Sequence, residues 1–111
     1  MPKHDIIYKK SNDVLFLSFE KEELKLEDAE RIVEIVFDDE ENWETEKVVF
    51  EFSKVTYVNS TVISAIGRMA DAKELKIVGM TEKVRNIMDM MGILPFLDLY
   101  DDIGSALKDF D

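Results

Sequence analysis

Two hydrophobic periods alternate along this chain. Val14-Leu15-Phe16-Leu17-Ser18-Phe19, Val48-Val49-Phe50-Glu51-Phe52 and Leu75-Lys76-Ile77-Val78-Gly79 are short apolar runs, the last ending in glycine. Such runs, rich in β-branched and aromatic residues and bounded by polar clusters, predict buried strands. Asp5 to Lys10 is a weaker run that predicts an edge strand, and the turn signal Ser11-Asn12-Asp13 joins it to the next as a hairpin. Phe96 to Tyr100, just after Pro95, predicts a fifth short strand.

Between the strands the period becomes helical. From Glu27 onward, Ala29, Ile32, Val33 and Val36 fall at i, i+3, i+4 and i+7, and Glu27 and Asp28 occupy the first turn, where negative charge suits the dipole. Val62, Ile66 and Met69, with Ile63 and Ala70 beside them, form the stripe of a second helix. Val84, Ile87, Met88 and Met91 form that of a third, opened by Thr81 as N-cap and closed by Gly92. Asp101 or Asp102 caps a last helix whose Ile103, Ala106, Leu107 and Phe110 face inward. Asp38 to Asn42 reads as a solvated acidic loop, and Trp43 as a cover for an edge of the core. Met90 lies off the core stripe and is a candidate for an adaptable binding surface.

The resulting order, β-β-α-β-α-β-α-β-α, predicts one α/β domain over residues 1–111, with a mixed sheet of four to five strands and about four helices. A chain of 111 residues that is 46% apolar can bury one such core and is too short for two. The net charge of −11 repels phosphate backbones and anionic lipid, which argues against nucleic-acid binding and asks for a protein partner with a basic patch. No cysteine is present, so disulfides, thiolate nucleophiles and cysteine-based metal sites are excluded. Met1 to Ile7 lacks the apolar run of a signal peptide, and nothing approaches the roughly 18 consecutive apolar residues of a membrane span. A cytoplasmic protein with no membrane insertion is the expectation.

Chemistry is sparse. His4 is the one histidine, near the end of the chain, so no Ser-His-Asp set is positioned elsewhere. The glycines, at 67, 79, 92 and 104, build no phosphate loop, and the acids of 38–41 lack the alternating spacing and glycine of a calcium loop. No catalytic residue, metal or cofactor is expected. The informative place is Asn59-Ser60-Thr61-Val62, where strand period gives way to helix period after Phe52. Free backbone N–H groups and the positive end of a helix dipole point outward there. A hydroxyl at that point either caps the helix or receives a phosphate, and the two are compatible.

The stretch Phe52-Ser53-Lys54-Val55-Thr56-Tyr57-Val58-Asn59-Ser60-Thr61 resembles the V-x-[FY]-[ILMV]-D-S-[ST]-G-type segment of STAS domains, specifically the bacterial anti-sigma factor antagonists. Leu75 to Gly79, Val84 through Met91-Gly92-Ile93, Phe96-Leu97-Asp98-Leu99-Tyr100 and the closing Asp101 to Leu107 resemble later parts of the family in the same order. The resemblance spans nearly the whole chain. It implies a partner-switching regulator of transcription, not an enzyme. In such a switch the unmodified domain binds an anti-sigma factor that is also a serine kinase, phosphorylation ends the binding, and a PP2C-type phosphatase resets it. By position the phosphoacceptor is Ser60, with Thr61 beside it, and Asn59, Ser60, Thr61 and Val62 meet the partner.

Asn59 stands where the family has aspartate, keeping the size and capping ability without the charge; Val62 stands where it has glycine, and is expected to hinder close approach by a partner. The alternative is a non-phosphorylated STAS scaffold module in a stress-signalling or lipid-transport complex. A nucleotide hydrolase, from a different class, would need the phosphate loop and positioned base that the sequence lacks.

Overall fold

The computed structural model describes residues 5–110; His4 lies outside the described residues. A five-stranded mixed sheet runs in the order β1 (Ile6–Ser11), β2 (Val14–Phe19), β4 (Lys47–Glu51), β6 (Glu74–Val78), β7 (Asp98–Tyr100). The β1–β2 pair is antiparallel and the other three are parallel. Asn12 and Asp13 form the two-residue hairpin loop, with φ of 50° and 68°. Positive φ at both central positions matches the strand twist, and Asn and Asp tolerate it better than most residues.

Strand parity divides the core. Leu15, Leu17 and Phe19, Val48, Phe50 and Phe52, and Leu75 and Ile77 face three helices, α1 (Leu26–Val33), α2 (Ser60–Ala72) and α3 (Glu82–Met90). Phe19 meets both Phe50 and Phe52 edge-on at 5.2 and 4.9 Å. Val14, Val49 and Val78 face the other way, covered by Ala106 of α4 (Ile103–Lys108) and by Phe110 just after that helix. The expected α/β architecture, the hairpin and the four helices are all present.

Several local expectations need correction. The helix after Glu27 starts at Leu26 and ends in a π-helical turn, Glu34–Asp38. Trp43 does not cover the core and is 54% exposed; Asn42 turns inward instead and donates from Nδ2 to the Ile35 carbonyl at 3.2 Å. Met91 is exposed because α3 ends at Met90; the chain turns at Gly92 (φ 76°), and Ile93 packs on the core in its place. Phe96 belongs to a short 3₁₀ turn, Leu94–Phe96, ahead of the strand. Ile103 and Leu107 remain largely exposed because α4 rests on the sheet without a second helix to cover its flanks.

Two further strands were not anticipated. β3 (Glu23–Leu24) and β5 (Tyr57–Val58) pair in parallel as a separate two-residue ladder. Their length is below what periodicity resolves.

Candidate functional site: the start of α2

Ser60 is the first residue of α2. The segment that delivers it is held on both sides by backbone bonds to distant parts of the chain. Thr56 and Tyr57 N–H groups donate to the Glu22 carbonyl at 2.7 and 3.1 Å, and Asn59 N–H donates to that of Leu24 at 3.2 Å. On the other side Thr81 Oγ1 donates to the Val55 carbonyl at 2.7 Å and accepts the Val84 N–H at 3.3 Å. One hydroxyl thus caps α3 and ties its start to the approach to α2. Lys54 pairs with Glu20, which also accepts from Ser18 Oγ at 2.7 Å. Lys54, then Ser18, hold the Glu20 carboxyl below its usual range.

The cap is Asn59, not Ser60. Asn59 has extended backbone (φ −90°, ψ 174°), and its Oδ1 accepts the Val62 N–H at 3.0 Å while its carbonyl accepts that of Ile63 at 3.0 Å. Ser60 is therefore relieved of capping. It is exposed, and among the described residues its hydroxyl has no hydrogen-bond partner. The N–H groups of Ser60 and Thr61 are likewise without a protein acceptor, and the first turn of α2 contains no acid. The result is an exposed hydroxyl beside uncomplemented positive dipole.

Thr61 is exposed next to Ser60, while Val62 is fully buried. The expectation that Val62 obstructs a partner is corrected: its side chain fills the core beneath the helix start. Tyr57 (44% exposed) joins the surface instead. Thr61, Ser64 and Arg68 then edge a groove of about 340 Å³ between α1 and α2, with Ala29, Val33 and Ala65 among its apolar walls. Sequence reasoning could not see Tyr57 or this groove, because both depend on how α1 and the β3–β5 ladder pack.

Among the described residues, no group of three or more His, Cys, Asp or Glu is placed to hold a metal ion. No helix among the described residues is long and apolar enough to cross a membrane.

A mixed sheet with three helices on one face, one on the other, and an exposed serine at the first position of the central helix defines a small α/β module of the STAS type. The sequence model of the STAS domain matches residues 5–106, and the chain belongs to that family. No curated protein sequence matches it. Among solved structures, a proposed anti-sigma factor antagonist of Thermotoga maritima is similar with TM-score 0.82 and 25% identity, covering 96% of this chain and 94% of that one. The anti-sigma factor antagonist SpoIIAA in its unphosphorylated form gives TM-score 0.67 at 13% identity, over 94% of each chain. The Bacillus cell fate determinant SpoIIAA in the phosphorylated form gives 0.69 at 10% identity, over 93% of this chain and 96% of that one. At such identities the two SpoIIAA likenesses speak for the fold alone.

Proposed function

We propose that this chain is an anti-sigma factor antagonist, a cytoplasmic partner-switching regulator without catalysis of its own. The unmodified domain binds an anti-sigma factor that is also a serine kinase, through the surface around Asn59, Ser60 and Thr61. That kinase phosphorylates Ser60 and loses its hold on the domain, and a PP2C-type phosphatase restores binding. The observation that carries the reading is the division of labour at α2: Asn59 caps the helix, so the Ser60 hydroxyl is exposed and uncommitted. A phosphate there adds roughly −1.5 to −2 charges without dismantling the cap, and the helix dipole tolerates it. The cost falls on the partner, which would bury that charge at a contact surface. The family membership, and the likeness at 25% identity to a proposed anti-sigma factor antagonist of Thermotoga maritima, support the same reading.

The test is co-expression with an anti-sigma-type serine kinase encoded beside it, followed by phosphopeptide mass spectrometry and calorimetry of binding. Phosphate on Ser60 and loss of binding by the modified form are expected. Phosphate on Thr61 alone moves the site by one residue. Absence of phosphate, with binding unchanged by Ser60→Asp, favours a fixed scaffold role in a stress-signalling or lipid-transport complex.

A further inference from the structure

The three most exposed large hydrophobic side chains among the described residues are Met90 at 86%, Phe96 at 76% and Met91 at 55%, all between residues 90 and 96. Phe96 and Ile93 form one wall of a groove of about 340 Å³ whose other wall is the C-terminal half of α2: Gly67, Ala70 and Asp71. Gly67 keeps this groove open, since a Cβ there would come within 3.2 Å of Ile93 Cδ1.

Asp71 is the only charged residue lining the groove. Asp71 and Asp89 sit in the last turns of α2 and α3, and neither turn holds a basic residue. A helix C-terminus is the negative end of the dipole and favours cations, so both carboxylates are placed against the local field. Among the described residues neither is in an ion pair. The cations nearest Asp71 in sequence are engaged elsewhere: Lys73 Nζ donates to the Trp43 and Thr45 carbonyls, and Arg68 lies over the Phe37 ring. Arg85, one turn before Asp89, lines a different groove with Met80, Leu99 and Asp101.

We propose that this corner is a docking surface for a basic amphipathic helix of a partner protein. One apolar side chain enters the groove between α2 and Ile93–Phe96, and the flexible Met90 and Met91 repack around it. Its flanking Lys or Arg side chains meet Asp71, Asp89 and the two helix ends. A second copy of the chain fits poorly, because each copy presents the same acidic rim at a net charge of −11. The surface lies at the opposite end of α2 from Ser60, about 16 Å along the axis, and does not depend on that serine being a switch.

The test is an NMR titration of the full chain at physiological salt with a short synthetic Leu/Lys peptide of helical spacing, beside an all-Lys peptide of equal charge. The Leu/Lys peptide is expected to shift the amides of Gly67, Ala70, Asp71, Ile93 and Phe96. Phe96→Ser, at an exposed position that the fold does not need, should weaken it about tenfold, and Ser60→Asp should leave it within about twofold. Equal binding by the all-Lys peptide, shifts centred on residues 38–41, or no effect of Phe96→Ser would overturn the proposal. So would loss of the peptide in Ser60→Asp, which would place it on the switch surface. Self-association in sedimentation that Phe96→Ser abolishes would make a second copy the occupant and would also reject the basic helix.

Discussion

Asn59 Oδ1 accepts the backbone N–H of Val62 at 3.0 Å, closing the first turn of α2 across Ser60 without using the serine hydroxyl. The cap and the exposed hydroxyl are thereby separated onto adjacent side chains, and the two can be perturbed independently.

Asn59→Ala should cost about 1 kcal/mol of stability, the usual size of a lost N-cap. Ser60→Ala removes an exposed hydroxyl with no partner and should stay within about 0.5 kcal/mol. Urea unfolding of both variants checks the assignment. A larger loss in Ser60→Ala than in Asn59→Ala would return the cap to the serine.

Ser60→Asp should remain folded, with a urea midpoint near that of the wild type, because a carboxylate at the first helical position suits the dipole. Its binding to a cognate anti-sigma kinase should fall by an order of magnitude or more (roughly 1.4 kcal/mol per tenfold). Ser60→Ala should abolish labelling and keep the binding. Loss of binding in both variants would point to a damaged helix start instead of a switch.

Thr81→Val should cost about 1–3 kcal/mol, because it strips a partner from the Val55 carbonyl and from the Val84 N–H together. Since Val55 leads into the Ser60 segment, the loss should also appear as faster hydrogen exchange at Asn59 N–H, which bonds the Leu24 carbonyl. Unchanged exchange there would show that the two helix starts are not mechanically coupled.

The start of the closing helix should respond to acid. The Ser105 N–H donates to Asp102 Oδ1 at 2.8 Å and holds that carboxyl below the usual aspartate range. A lowered folded pKa means a contribution that is present above about pH 4 and is lost as the pH falls through the folded value. Acid titration should therefore release the Ser105 amide, and Asp102→Asn, which still caps, should remove the pH dependence without removing the helix. The Ser105 amide shift across the acid range reads both.

Tyr100 secures the same helix to the sheet. Its hydroxyl accepts from the buried Lys76 Nζ at 3.1 Å and donates to Asp109 Oδ2 at 2.7 Å. Burial works against the lysine's charge, but Tyr100 and Asp98 outweigh it and hold the ammonium above its usual pKa. Tyr100→Phe should cost about 1 kcal/mol by breaking both bonds. Lys76→Met should be closer to neutral, since it removes the buried charge along with its partner requirement. The reverse order in thermal melts would argue that the ammonium, not the hydroxyl, is the anchor.

Hydrophobic period determined much of this protein by itself. The hairpin, the alternation of strands and helices, the stripes of Ala29–Ile32–Val36 and Val62–Ile66–Met69, and the place of Ser60 at a helix start all follow from burial, which sequence spacing encodes directly. What tertiary structure decided are matters of ends and edges. Asn59 or Ser60 could each cap α2, and the choice rests on the β3–β5 ladder, which fixes where the chain enters the helix. Met91 keeps the helical spacing, yet the turn at Gly92 hands its core position to Ile93. Trp43 is large and apolar, yet the buried Ile35 carbonyl needed a donor, and Asn42 turned inward to supply it. In each case the local pattern allows two residues, and the deciding term is a backbone turn or a hydrogen bond that hydrophobic spacing does not encode.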